Sequence, residues 1–369
     1  MSISYTRKLV LADGSEYYGY GFGSKKDSVT EIVFNTSMVG YQEIVSDPSY
    51  TYQSVVMTYP LIGNYGMADD DYETITPTIG GLIVHEYNPR PSNFRSTKTL
   101  EEVMIEYDIP GIYGIDTRKL TRCIRDNGSQ NGLITSPETT VEEALKIIAA
   151  NPIPKDAVSR VSCKEIWKSN AVSSNTITSS SVTPFHVVLI DCGAKHNIIQ
   201  SLNNRNCNVT IVPWNTPAKK IEYLNPDGIM LSNGPGDPTD VQPVIDTVRQ
   251  LKGKLPIFGI CLGNQIISLA YGAKTYKLKF GHRGGNHPVK NLATGKVEIT
   301  SQNHSYAVDE KTLEGTGLAV SHRNILDNTV EGVADLKNKI FSVQYHPESM
   351  PGPQDSAYLF DQFVAMMKK

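Results

Sequence analysis

Pro256-Ile-Phe-Gly259-Ile-Cys261-Leu262-Gly263-Asn264-Gln265 places a lone thiol between two glycines at the end of an apolar run. Leu255 to Ile260 has the length and character of a buried strand. From Gln265 to Ala270 the chain is again apolar, compatible with a helix that stops at Gly272. A strand, a small-residue turn carrying a nucleophile and a helix make the layout of a nucleophile elbow, with Cys in place of Ser. Gly259 and Gly263 let the backbone pass where side chains would collide. A helix N-terminus behind the sulfur favours thiolate and oxyanion. A structural cysteine closing a strand has the same local signature, so the surrounding chain carries the decision.

Outward from that stretch the pattern alternates. His186-Val-Val-Leu-Ile190, Val209–Val212 and Gly228–Leu231 read as strands. Lys195–Asn204 and Val241–Leu251 read as helices between them. Such alternation predicts an α/β domain with a doubly wound, mostly parallel sheet over residues 185–369. Ligands in such sheets sit beyond the carboxyl ends of the strands. Both Ser232-Asn-Gly-Pro-Gly236 and Gly259–Gly263 fall there. After Tyr271 shorter strands are expected at Val297–Thr300, Gly317–Ser321 and Lys339–Gln344, and a last helix at Ala357–Met367.

Residues 1–150 predict a β-rich α/β domain. Asp13-Gly14 between Lys8–Leu11 and Glu16–Tyr20 is a two-residue hairpin signal. Thr99-Leu-Glu-Glu102 and Thr140-Val-Glu-Glu143 open helices with capping boxes, and Asp116 caps the basic run to Arg125. Residues 151–184 are expected to connect the two domains. Within them Ser169–Ser181 is polar, nearly uncharged and low in complexity, as a linker is.

A chain of 369 residues is long for one core, so two domains are the default. Its charged share of 20% with an apolar share of 39% is that of a soluble globular protein. A net charge of -3 argues against a broad nucleic-acid footprint. No apolar run reaches bilayer length, and the start shows no signal-peptide pattern. The five cysteines are scattered without a C-x-x-C pair, so neither a disulfide framework nor structural zinc is expected and a cytoplasmic location fits. No nucleotide loop of either common type occurs. His282 and His287, in Gly281-His-Arg-Gly-Gly-Asn-His-Pro288, have no third ligand at useful spacing. They are expected in surface or loop roles, and no metal is expected in this chain.

A thiol needs a base at neutral pH, and the base needs a group to hold its tautomer. His346-Pro-Glu348 follows a predicted strand, where residues i and i+2 project to one side. Asn233-Gly-Pro-Gly-Asp-Pro238 is rigid and exposes backbone N–H groups. With the Leu262 N–H it forms a candidate oxyanion hole.

Together Phe258-Gly-Ile-Cys261-Leu-Gly-x-Gln265, Asn233–Pro238 and His346–Glu348 resemble the class I glutamine amidotransferases. Phe34-Asn-Thr-Ser-Met-Val-Gly-Tyr-Gln-Glu43, Asp47-Pro-Ser49-Tyr50, Asn93-Phe-Arg95 and Ile115–Arg122 narrow the resemblance to the small subunit of carbamoyl-phosphate synthetases. Lys279–Pro288 and Gln302-Asn-His304 fit it too. The resemblance implies a glutaminase. Cys261 would form a γ-glutamyl thioester, His346 would shuttle the proton, and Glu348 would orient His346. Gly234 and Leu262 would hold the oxyanion. Ser49, Gly236, Gln265, Asn303, Ser305 and Tyr306 would contact glutamine, with Ser49 coming from the N-terminal domain. The ammonia would pass to a large subunit that holds ATP and Mg and makes carbamoyl phosphate from bicarbonate, for pyrimidine or arginine synthesis. Two positions depart from the pattern. Asn264 stands where many relatives have His, and Ser305 stands where Gly is usual, which is disfavoured if that backbone has φ > 0. The alternatives are a stand-alone hydrolase of γ-glutamyl bonds, a non-catalytic docking or regulatory subunit, and an amidotransferase subunit of another pathway. The N-terminal motifs argue against the last.

Overall fold

The fold is a computed structural model that describes residues 4–172 and 183–368. The chain divides into two units, Met1–Lys155 with Lys279–Gly284, and Asp156–Leu278 with Gly285–Lys369. Among the described residues no helix is long and apolar enough to cross a membrane.

Turn chemistry starts the first unit. Gly14 takes φ 84° and joins β1 (Arg7–Leu11) to β2 (Glu16–Gly23) as an antiparallel pair. Next come β3 (Ser28–Asn35), α1 (Tyr41–Ser46), β4 (Gln53–Met57), β5 (Leu61–Ile62), β6 (Gly81–Ile83), β7 (Glu86–Tyr87), α2 (Leu100–Glu106), β8 (Pro110–Tyr113), α3 (Thr117–Asn127), β9 (Gln130–Thr135) and α4 (Val141–Ala150). Seven strands close a barrel in the order β1-β2-β8-β6-β4-β3-β9. The β9–β1 pairing that completes the ring leaves it no open edge. Thr99 and Thr140 form the expected capping boxes, and the Asp116 carboxylate accepts the Lys119 N–H at 2.8 Å. Successive strand residues face opposite sides. Val33, Val55 and Leu82 pack with Ile44 and Val45 of α1 and Val103 of α2. Leu9, Ile32, Val56 and Ile83 pack with Leu120 and Ile124 of α3.

The second unit begins earlier than the connector expectation implies. Ala157–Val161 is a helix, α5, and Trp167–Ser169 is a strand, β10. Asp191 Oδ2 accepts the Cys163 N–H at 2.7 Å, and the Ser162 hydroxyl accepts the Trp214 N–H at 3.0 Å. β10 satisfies the edge of a parallel sheet whose outer backbone groups would otherwise lack partners. Most of the expected Ser/Thr-rich linker, residues 173–182, lies outside the described residues.

The rest of this unit alternates: β11 (Phe185–Asp191), α6 (His196–Asn203), β12 (Cys207–Pro213), α7 (Ala218–Tyr223), β13 (Gly228–Leu231), α8 (Gln242–Leu251), β14 (Ile257–Ile260) and α9 (Leu262–Ala270). Then come β15 (Thr275–Asn291), β16 (Val297–Val308), β17 (Ala319–Asn324), β18 (Val330–Asp335), β19 (Ile340–Val343) and α10 (Tyr358–Met367). The sheet runs β10-β12-β11-β13-β14-β19-β18-β16-β15-β17. β12-β11-β13-β14-β19 is the parallel core of the α/β fold expected from the sequence. Its strands bury both faces. Val188, Ile190, Ile229 and Leu231 pack with α8 and α9. Val187, Leu189, Met230 and Phe258 pack with α6 and α10. Phe258 stacks on Phe341 at 4.4 Å between centroids and meets Phe360 edge-on at 5.7 Å. Each such fully buried apolar side chain contributes about 1.5–3 kcal/mol.

Of the short strands expected after Tyr271, Gly317–Ser321 and Lys339–Gln344 fall on the short β17 and β19, while the expectation of a short strand at Val297–Thr300 is corrected. β15 has 17 residues and β16 has 12. β15 includes the glycine- and histidine-rich run that reads as a loop in the sequence. His282 lies on that strand, 8% exposed, and His287 is half-buried on it, so neither is a loop residue. Pairing in the extended sheet overrides the weak strand propensity of Gly and charged residues.

Candidate active site

Three segments of the second unit meet because their strands are neighbours. Leu231 of β13 pairs with Gly259 of β14, and Ile260 of β14 pairs with Val343 of β19. The loops leaving these carboxyl ends carry Asn233–Pro238, Cys261 and His346–Glu348. This is the placement the alternation predicts.

Cys261 itself takes the unusual backbone, φ 53° and ψ -102°. A non-glycine residue there is strained, which neighbours must over-determine. Its N–H is held by the Val343 carbonyl at 2.9 Å, and its carbonyl accepts the Asn264 N–H at 3.0 Å. The glycines supply space rather than the turn. A Cβ on Gly259 would come 2.8 Å from Gly263, and one on Gly263 would come 2.6 Å from the Leu231 carbonyl. Gly234 is confined in the same way, between the Cys192 carbonyl and the Leu262 side chain. Gly236 takes φ 87°. Cys261 is 2% exposed, and its thiol points to the Asn303 carbonyl at 3.6 Å.

His346 and Glu348 lie past the end of β19 rather than in extended backbone, a correction to the i, i+2 expectation. His346 makes an isolated bridge with Ser301, its N–H reaching the Ser301 carbonyl at 2.9 Å. Pro347 then opens a turn in which the Ser349 N–H returns to the His346 carbonyl. The turn aligns the pair, with His346 Nδ1 2.7 Å from Glu348 Oε1. His346 Nε2 is buried and makes no geometrically complete hydrogen bond among the described residues. The Cys261 thiol is nonetheless near enough to favour its charged form. Burial opposes charge on His346, but Glu348 and the thiol outweigh it and hold the imidazole above its ordinary value. Burial likewise opposes charge on Glu348, yet Lys195 and His346 hold it below the usual carboxylate range.

The sequence alone does not single out Lys195. Its Nζ is 3.1 Å from Glu348 Oε1 and 2.5 Å from the Met350 carbonyl, with side-chain exposures of 3% for Lys195 and 0% for Glu348. It sits on the loop after β11, where Asp191 Oδ1 accepts the N–H groups of Gly193 and Ala194. Asn233 Oδ1 accepts the Lys195 N–H at 3.1 Å. The available signal is position, since Lys195 closes the loop at the carboxyl end of the first parallel strand.

The other expected contacts divide. Gln265 Nε2 donates to the Tyr306 carbonyl at 2.9 Å, so these two meet beside the elbow. Asn303 and Ser305 lie with Tyr306 on β16. Ser305 has no positive φ, so the strain that serine would bring at a left-handed position does not arise. Leu262 is the first residue of α9. Ser49 belongs to the first unit, on the short turn Pro48–Tyr50, where its N–H is bonded to Asp47 Oδ1 at 2.8 Å.

Comparison with known proteins places the chain in a family. Residues 188–366 match the family model for glutamine amidotransferase class-I. Residues 9–134 match that for the carbamoyl-phosphate synthase small chain, CPSase domain. The chain is 51% identical over 362 residues to a carbamoyl phosphate synthase small chain of Staphylococcus epidermidis, covering 98% of this chain and 96% of that one. It is 51% identical to the small chain of Fusobacterium nucleatum, covering 98% of each. With a pyrimidine-specific small chain of Halalkalibacterium halodurans it shares 49% identity, covering 98% and 97%. Among solved structures, a putative GMP synthase component from Thermoplasma acidophilum aligns over 50% of this chain and 94% of its own, with 20% identity and a TM-score of 0.44.

Proposed function

Because the chain belongs to the carbamoyl phosphate synthase small-chain family, we propose that it hydrolyses glutamine at Cys261 and hands the ammonia to a large, ATP-dependent partner chain. The observation that carries this reading is the buried His346–Glu348 pair beside a cysteine held at φ 53°. A docking subunit has no need of a strained cysteine or a buried charged pair.

The chemistry follows from the residues. His346 takes the thiol proton, and the resulting imidazolium is stabilised by Glu348 and by the sulfur it has deprotonated. The sulfur attacks the side-chain amide carbon of glutamine. Charge moving to the carbonyl oxygen is met by the backbone N–H groups of Gly234 and Leu262. Collapse of the tetrahedral species breaks the C–N bond as imidazolium His346 gives its proton to the departing nitrogen, releasing ammonia. The remaining γ-glutamyl thioester is attacked by water, whose proton His346 accepts, and glutamate leaves as the thiol is restored. Gly236, Gln265, Asn303, Ser305 and Tyr306 are assigned to the glutamine. The partner chain combines the ammonia with bicarbonate using ATP and Mg, giving carbamoyl phosphate. Delivery without loss to solvent calls for an enclosed path between the chains.

The test is glutamate release from glutamine by the purified chain, alone and with a cognate large chain, beside Cys261→Ser. Weak release alone, raised by the partner and absent in the variant, is expected. In the complex, Cys261→Ser keeps synthesis from added ammonia. Wild-type release that ignores the partner would point to an autonomous hydrolase. No release in the formed complex would overturn the reading.

A further inference from the structure

A run of buried side chains lies behind the nucleophile and belongs to no part of the triad. Gln344, fully buried between β19 and His346, donates from Nε2 to the Cys261 sulfur at 3.7 Å. Its Oε1 accepts from Asn264 Nδ2 at 3.1 Å and from Gln265 Nε2 at 3.1 Å. Asn264 is held in turn by the Ser342 hydroxyl, which donates to its Oδ1 at 2.9 Å. Ser342 and Asn264 are fully buried, and Gln265 is 3% exposed.

The sense of each amide follows from its partners. The Tyr306 carbonyl can only accept, so Gln265 must turn Nε2 toward it. That nitrogen also meets the Gln344 side chain, which must therefore present oxygen. One end of an amide accepts and the other donates, so the end of Gln344 facing the sulfur is the donor. We propose that Gln344 is a positioning residue for the nucleophile: its N–H fixes the Cys261 sulfur for attack and stabilises negative charge on it. This rests on the glutaminase reading and deepens it. No proton is transferred by the amide; the thiol proton still goes to His346. The network also accounts for Asn264. That position needs a donor toward Gln344 and an acceptor toward Ser342, and a neutral histidine offers one of each as well.

The test reads the sulfur directly. The pH dependence of Cys261 alkylation by iodoacetamide is followed by peptide mass spectrometry in the full chain, with Cys261→Ser as the blank. Two variants keep the volume of Gln344: Gln344→Met removes the donor, and Gln344→Glu puts an acceptor in its place. Other ionisable groups at the site remain in both. They are His346, with Glu348 and Lys195 behind it, His304 on β16 next to Asn303, and buried Glu331 on β18, near the His304 ring and holding the Gln344 N–H through its carbonyl; α9 and β19 carry none. In Gln344→Met the half-maximal pH is expected to rise by about one unit, with alkylation at pH 7 roughly tenfold slower. Glutaminase kcat is expected to fall by a similar factor, with KM little changed. Gln344→Glu is expected to shift at least as far, and it carries the test if Gln344→Met does not fold. An unchanged pH midpoint in either folded variant, or an effect confined to KM, would overturn the proposal. Alkylation needs no glutamine, so a wild-type chain that fails to release glutamate would count against the glutaminase reading while leaving this result readable.

Discussion

Gly263→Ala sets two local effects against each other at the elbow. Within α9, alanine is favoured over glycine by about 0.8–1 kcal/mol, and Gly263 has no positive φ to forbid it. Its new Cβ, however, would stand 2.6 Å from the Leu231 carbonyl oxygen and 2.8 Å from the Leu231 Cβ. Ordinary contact begins at about 3.4 Å, so roughly 0.8 Å must be found. The obstacle is strand backbone in the middle of a sheet, which cannot rotate aside as a side chain would. Overpacking of this kind costs about 1–3 kcal/mol, so the clash outweighs the helix gain and the protein loses up to about 2 kcal/mol. The cheapest relief slides the start of α9 outward, carrying Leu262 and Cys261 with it. A misplacement near 1 Å costs on the order of a hundredfold in rate, so a fall in kcat of roughly ten- to a hundredfold is expected. Glutamate release by the complex and thermal unfolding of the same preparation measure the two terms. A variant with a higher Tm and kcat within twofold of wild type would refute the reasoning, because the helix would then have had room to spare.

Among the described residues, Lys195→Met leaves His346 as the one charged partner of Glu348. Removing one member of a buried pair costs about 3–5 kcal/mol, with the lower end expected because His346 remains. The ionised Glu348 contributes stability above its ordinary value of 4.5, and that contribution is lost as pH falls through its lowered native value. The gap between wild type and variant in urea unfolding is therefore expected to be widest near neutral pH and to narrow below pH 4.5; a gap that widens in acid would contradict the assignment. Ser305→Gly lies in extended backbone, so glutamate release should stay equal or rise, with a stability loss of no more than about 1 kcal/mol. A large rise in KM for glutamine would give the Ser305 side chain a role of its own.

The elements that were legible are those whose cause is local. The elbow, the Gly-Pro loop and the three helix caps each lie within a few residues, and the alternation of strands and helices placed the elbow and the loop at one end of a sheet. What the sequence concealed was made by pairing across distance. Strand β15 carries Lys, Gly, His and Asn where a strand pattern should show apolar alternation, and sheet pairing holds it extended all the same. His346 and Glu348 do meet, but on a turn rather than on extended backbone, because the chain around Pro347 is set by bonds to Ser301 and Ser349. Lys195 meets a carboxylate 153 positions away, and no spacing rule reaches that far. Gln344 stands two residues before His346, yet its contact with the sulfur depends on which way three amides point.

The return of Lys279–Gly284 to the first unit has a consequence for dissecting the protein. Phe280 stacks on Phe34 with centroids 5.8 Å apart, the Lys279 carbonyl accepts the Ser129 N–H at 2.9 Å, and the Arg283 carbonyl accepts the Thr36 N–H at 3.3 Å. A gene cut at the 155/156 junction would strip the barrel of this six-residue insert. The same cut would leave the insert dangling from the amidotransferase fragment, with an aromatic ring and two carbonyls deprived of their partners. Neither half is a clean module for expression or for grafting onto another synthetase; recombination between relatives would have to exchange two separated gene segments at once.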